Sequence, residues 1–171
     1  MAGRAQRGTG DLMAHELDSK PAGKLTGTAG SMLAAKGRVV HSIGPGETVL
    51  AAVAKLNDAR VGALLVMEGS ALVGVISERD YTSAIIRYDR SLRNMPVAEI
   101  MSSPVVSVDM ETPLVECMRI VTERRIRHLP VMEAGRVAGV ISIGDLVRAI
   151  VQQQEETIEQ LSTIVNDSYP T

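Results

Sequence analysis

Two serine–acid pairs are the residues of this chain whose types and spacing could do chemistry. Residues 74–81 read GVISERDY and residues 139–146 read GVISIGDL. In each, a serine ends a short apolar run and an aspartate follows three residues later: Ser77 with Asp80, and Ser142 with Asp145. One chemistry is local. A serine followed at this spacing by an acid makes a reciprocal helix cap, in which the serine oxygen accepts from the third amide and the acid accepts from the serine's own amide. Such a cap contributes about 1 kcal/mol. The other chemistry needs a ligand. A strand that runs straight into a helix N-terminus leaves amides aimed at one spot, and with the helix dipole they attract an anion. An acid one turn into the helix sits beside that spot and can accept from a vicinal diol. Phosphate joined to ribose offers both groups. Taken once, S-x-x-D is a weak motif. Its recurrence after the same Gly-Val-Ile strand strengthens the ligand reading without displacing the cap.

The pairs belong to a longer repeat. Residues 63–68 (ALLVME) correspond to 128–133 (HLPVME), and 84–86 (AII) to 149–151 (AIV). The offset is constant at about 65 residues, enough for one supersecondary unit, and two units this small share a core more readily than they fold apart. Hydrophobic periodicity gives each unit the order β-α-β-β-α. In the first, residues 38–43 are a strand closed by Gly44-Pro45-Gly46. Thr48 caps a helix with Val49, Ala52, Val53 and Leu56 on its inner stripe. Residues 63–67 and 72–76 form a hairpin about Glu68-Gly69-Ser70, and Ser77 opens a helix to about Arg87. In the second, residues 96–101 are a short helix with Pro96 in its first turn, and residues 105–108 are a strand. Thr112 caps a helix with Leu114, Cys117, Met118 and Val121 inward. Residues 126–132 and 137–141 are the hairpin, and Ser142 opens the last helix.

Outside the units, residues 1–30 are rich in Gly, Ala, Thr and charge and are expected to form a mobile tail, with a short helix from about Ser31. Residues 152–165 read as a separate amphipathic helix with Ile158, Leu161 and Val165 on one face. The expected division is a tail over 1–30, units over 31–90 and 91–152, and a terminal helix and tail over 153–171.

Composition narrows the function. A chain of 171 residues suits one compact domain built from two halves. Hydrophobic residues make up 45% and Phe and Trp are absent, so the core must be aliphatic. A net charge of −2 argues against general nucleic-acid binding, the missing aromatics remove the usual base-stacking platform, and the basic run at 124–127 is too short for a nucleic-acid surface. The single cysteine excludes an internal disulfide and points to a reducing compartment, taken as the cytoplasm. No apolar run approaches the roughly 20 residues that span a bilayer, and no signal-peptide core is evident. His15, His41 and His128 share no metal-ligand spacing. Cys117 falls on an inner helix stripe with no base legible nearby. Gly44-Pro45-Gly46 lacks the third glycine of a dinucleotide fingerprint. Neither catalysis nor a metal is expected.

With these motifs the chain resembles a tandem pair of CBS domains, a Bateman module, of the short bacterial kind that is one such pair and little else. The resemblance is carried by Gly74–Asp80 and Gly139–Asp145, by VAEIM at 97–101 and by RHLPV at 127–131, and it covers about residues 32 to 152. It implies an α+β fold of two β-α-β-β-α repeats about a pseudo-twofold axis, with sheets packed against helices and two clefts between the repeats. It implies that adenine nucleotides bind there, of the AMP, ADP, ATP, NAD or S-adenosyl type. Carried over by position, Asp80 and Asp145 hold ribose, and Ser77 and Ser142 face phosphate. Lys36, Val39 and Val40, and on the other side Met101, Ser103 and Val105, meet adenine through backbone and aliphatic groups, with Ile141 alongside. The resemblance further implies a homodimer formed through helices, regulating a protein partner that the sequence does not name, with no chemistry of its own. The alternative is a dimerisation scaffold with vestigial clefts.

The two halves differ in charge. The second has Arg124, Arg125, Arg127 and His128 where the first has Ala59, Arg60, Gly62 and Ala63. Basic groups beside a cleft compensate phosphate, and Arg does so bidentately. Arg127 and His128 are assigned to ligand. Arg124 and Arg125 read as solvated cations at a helix C-terminus. Arg79, replaced by Gly144 in the second half, is unfavourable at a helix start unless an anion neutralises it; a solvated side chain is the alternative. The expectation is one well-formed site and one weaker or differently selective one.

Overall fold

The computed structural model describes residues 25–88 and 92–168. Strands β1 (Ser42–Ile43), β2 (Ala63–Glu68) and β3 (Ala71–Ser77) form one sheet, and β4 (Val108–Asp109), β5 (His128–Glu133) and β6 (Arg136–Ser142) form a second, each in sequence order. The first pair in each sheet is parallel and the second antiparallel. A parallel pair requires a crossover. Helix α2 (Val49–Ala59) supplies it in the first repeat and α4 (Leu114–Arg124) in the second. Helices α3 (Glu78–Arg87) and α5 (Ile143–Ser168) leave directly from β3 and β6, and α1 (Ala29–Lys36) precedes both repeats. The fold is thus α+β with a doubled β-α-β-β-α unit. The registers match as well, with Ala63 opposite Ser77 and His128 opposite Ser142.

Local signals hold where the chemistry is short-range. Thr48 Oγ1 accepts from the Ala51 amide at 3.1 Å and starts α2. Val49, Ala52 and Leu56 are buried on that helix, as are Leu114, Cys117 and Val121 on α4. Burial drives the Cys117 thiol up to about 11, which makes it an inert core residue.

Several boundaries differ from the sequence expectation. β1 and β4 are two residues long, although the His41 carbonyl just ahead of β1 still accepts from the Leu65 amide of β2 at 3.0 Å. Ser102 pairs with Val75 on β3, exchanging amide-to-carbonyl bonds of 3.1 and 2.8 Å. The helix expected at 96–101 is a single 3-10 turn, Val97–Glu99, behind Pro96. Pro113 is the N-cap of α4, while Thr112 Oγ1 accepts from the Asp109 amide. The terminal segment is not a separate helix. Gln and Glu at 152–156 are good helix formers and no Gly or Pro intervenes, so α5 continues unbroken to Ser168. Ile158 is exposed, while the side chains of Leu161 and Val165 lie outside the described residues. At the other end, Leu25 and Ala29 are buried and Thr28 caps α1 through the Ser31 amide. Residues 1–24, including His15, lie outside the described residues.

The two cores are interleaved. Leu25, Ala29, Met32 and Leu33, which precede the first repeat, pack among Val108, Leu114, Val131, Ile141 and Leu146 of the second. Conversely Leu92, Met95, Val97 and Ile100 complete the core of the first repeat with Ile43, Leu56, Leu64 and Ile76. The glycine of each GVIS run explains itself here. A Cβ at Gly139 would stand 2.7 Å from Leu33 Cδ2, and one at Gly74 would collide with Met101 Sδ. Only glycine admits that approach.

Candidate functional site

The β3–α3 corner builds the first site. The Ser77 amide donates to Asp80 Oδ2 at 2.8 Å and the Ser77 hydroxyl donates to the same oxygen. The Ser102 hydroxyl donates to Oδ1 at 2.8 Å, from the segment that runs along β3. All three partners of Asp80 are neutral. Beside the carboxylate lies a cavity of about 380 Å³, within the range of about 300–1,000 Å³ typical of small-molecule sites. Its walls come from both repeats: Ser77, Glu78, Arg79 and Asp80 from one, and Arg124, Arg125, Ile126, Arg127 and His128 from the other, with Gly62, Val75, Pro104, Val105 and Val106 between.

Of the residues assigned to ligand from sequence, the cavity brings together Ser77, Arg79, Asp80, Val105, Arg127 and His128. It adds Ser102, and also Arg124 and the α4 C-cap Arg125, whose helix-end position places them on its rim. Ser102 rather than Ser103 reaches Asp80. Its signal was the pairing with Val75, which spacing alone does not reveal. Met101 packs against Gly74. Ile141 is fully buried in the second core, because alternate residues of β6 face opposite ways. Val39 is 76% exposed, and neither it nor Val40 lines the cavity.

Charge on the cavity is unbalanced. Four arginines face two acids, Glu78 and Asp80, and none of the four forms an ion pair among the described residues. Arg79 Nη1 donates to the Arg125 carbonyl at 3.2 Å, which turns the side chain toward the other repeat. Such an arrangement compensates a bound polyanion.

The second corner is built on the same backbone with different partners. The Ser142 amide and hydroxyl each donate to Asp145 Oδ2 at 2.8 Å, and the Asp145 amide donates back to Ser142 Oγ at 3.2 Å, completing the reciprocal cap. Lys36 and Arg148 form ion pairs with this carboxylate. Burial alone would raise the Asp145 carboxyl. The hydrogen bonds from Lys36 and Ser142 and the Lys36 charge outweigh it and hold the group below its ordinary 3.8.

A family model for the CBS domain matches residues 37–87 and again 97–152. The chain belongs to the CBS-domain family. It is 38% identical over 128 residues to the mitochondrial CBS domain-containing protein CBSX3 of Arabidopsis thaliana, covering 72% of this chain and 62% of that protein, so it spans less than two thirds of that relative's length. A CBS-domain protein from Burkholderia ambifaria is 37% identical, with a TM-score of 0.72, over 75% of this chain and 96% of that one. The crystal structure of CBSX2 in complex with AMP is 30% identical, with a TM-score of 0.55, over 66% of this chain and 88% of that one.

Within this CBS pair His128 stands where the two repeats meet. A Cβ on Gly62 would lie 3.1 Å from His128 Cε1 and Nε2, so the histidine ring occupies the space over that glycine. Burial, with help from Arg127 and Lys36, lowers the His128 pKa from 6.5 against the opposing pull of Asp145 and Asp80. The folded state therefore binds the proton less readily than the unfolded chain. The stability this contributes is fully present above the ordinary pKa of 6.5 and is lost as pH falls from there through the folded value. His128→Asn should remove that slope. Thermal melts of both proteins between pH 8 and 5 check it, and parallel slopes would count against the assignment. Among the described residues no helix is long and apolar enough to cross a membrane, and no cluster of His, Cys, Asp and Glu could hold a metal.

Proposed function

We propose that this CBS pair is a regulatory sensor of adenine nucleotides, of the AMP, ATP or NAD type, with no chemistry of its own. The observation that carries the reading is Asp80 beside unpaired arginines on one cavity wall system drawn from both repeats. Asp80 Oδ1 accepts from a single neutral hydroxyl and keeps acceptor capacity for a ribose diol. Ser77, the first amides of α3, Arg79 and Arg127 suit phosphate. Val75, Val105, Val106 and Ile126 offer an aliphatic surface for the base. The AMP complex of the CBSX2 relative supports the same ligand class. Because α3 belongs to one repeat and Arg124–His128 to the other, a ligand that fits one relative arrangement better biases the pair toward it, and a partner reads the change.

Apolar side chains exposed at matching positions in the two repeats support homodimerisation through the helices. Leu50 on α2 and Val115 on α4 are both 46% exposed, and Ile86 on α3 matches Val151 on α5. The same faces favour the second reading, a dimerisation scaffold whose clefts are unused. The buried lone cysteine suits a reducing compartment such as the cytoplasm.

A thermal-shift panel of AMP, ADP, ATP and NAD separates the readings. A ligand at 100 times its Kd should stabilise the fold by about 2.7 kcal/mol. No shift with any of them at millimolar concentration leaves the scaffold. Conversion of the nucleotide, followed by chromatography, would instead make the protein an enzyme.

A further inference from the structure

We propose that the second cleft is sealed by the chain's own cations: Lys36 and Arg148 occupy Asp145 as an internal ligand, so one nucleotide binds per chain rather than two. The stoichiometry rests on the nucleotide-sensor reading; the seal does not.

The argument starts from two carboxylates on equivalent backbones. Asp80 is held by neutral groups only. Asp145 has a cation on each oxygen, Lys36 Nζ on Oδ2 and Arg148 Nη2 on Oδ1, and its side chain is 9% exposed. Sequence differences between the repeats make this possible. Arg148 stands where the first repeat has Ser83, which lines the open cavity. Gly144 stands where the first has Arg79, and Arg148 Nη1 lies 3.7 Å from the point a Cβ on Gly144 would occupy. That is ordinary van der Waals contact, and the Arg148 side chain stays 75% exposed, so it covers the Asp145 carboxylate from the solvent side.

Lys36 is delivered by a packed element. It ends α1, whose Met32 and Leu33 are buried in the second core, and its ammonium also donates to the Val140 carbonyl at 2.9 Å. At the other end of the same segment, the Gln153 side-chain amide on α5 bonds both the amide and the carbonyl of Thr26, at 2.9 and 3.1 Å. The α1 segment is therefore strapped to α5 at both ends. A ribose diol approaching Asp145 would have to displace two cationic donors and leave both Lys36 and Arg148 without the carboxylate that neutralises them. At Asp80 no such exchange is required.

Reductive methylation with formaldehyde, read by mass spectrometry, tests the seal without a nucleotide. Lys36 in the wild-type protein should react about fivefold more slowly than exposed Lys55, the factor expected of one net hydrogen bond, and the protection should fall away in Asp145→Asn. Calorimetric titration with ATP should give one site per chain, and a second should appear in the Lys36→Met/Arg148→Met protein. Lys36 labelled as fast as Lys55, or two ATP per wild-type chain, would overturn the proposal. Protected Lys36 with no ATP bound by any variant upholds the seal and sinks the nucleotide reading instead. If Asp145→Asn fails to fold, the wild-type comparison of Lys36 with Lys55 decides alone.

Discussion

A Leu33→Ala chain should unfold with about 2–5 kcal/mol less stability than the wild type, the usual cost of emptying a well-packed core position. Leu33 is fully buried, and it is buried in the second repeat although it precedes the first. It also lies outside the segments that match the CBS family model. A residue in a dispensable leader would cost almost nothing. The partner change is Gly139→Ala, whose added methyl would meet Leu33 Cδ2 and Cδ1 at 2.7 and 2.8 Å. Overpacking of this kind costs about 1–3 kcal/mol. In the double variant the new methyl enters space that Leu33 has vacated, so the combined loss should fall short of the sum by about 0.5–3 kcal/mol. Urea unfolding of the four proteins measures this. Strict additivity, or a Leu33→Ala protein as stable as the parent, would mean that α1 does not dock on β6.

The second large effect is on binding. Asp80→Ala should weaken the nucleotide by about 10- to 100-fold, the loss expected when hydrogen bonds to a charged acceptor disappear. The empty protein should lose only about 1 kcal/mol, because Asp80 also helps to cap α3. A thermal-shift series separates the two, since the ligand-dependent shift should collapse while the ligand-free melt moves little. Asp145→Ala should do the reverse. It leaves Lys36 and Arg148 without their shared partner and lowers the ligand-free melt, while the nucleotide shift persists. An undiminished shift in Asp80→Ala would place the ligand elsewhere in the molecule.

Much of this was legible from residues alone. The duplicated GVIS-x-x-D segments located both helix starts, and Ser77 and Ser142 are where those helices begin. Hairpin turns, inner helix stripes and the Thr48 cap followed from periods of two and 3.6 and from short polar side chains. Arg127, His128 and Arg79 stand out in the sequence by their charge, and they share one cavity. Lys36 is expected at the ligand from its position, and in the structure its ammonium pairs with Asp145. Ser102 and not Ser103 faces Asp80, because a one-residue shift in an extended segment reverses which side chain faces the site.

The sequence by itself determined the repeat, its element order and the two serine–acid corners, because each rests on contacts within a few residues. Tertiary structure alone decided which core receives α1, which acid meets Lys36 and which set of arginines gathers around one cavity. Those outcomes join residues such as Lys36 and Asp145, 109 positions apart, that no local period relates. They depend on how two nearly identical sheets share their leading segments, and packing settles that only when the whole chain has closed.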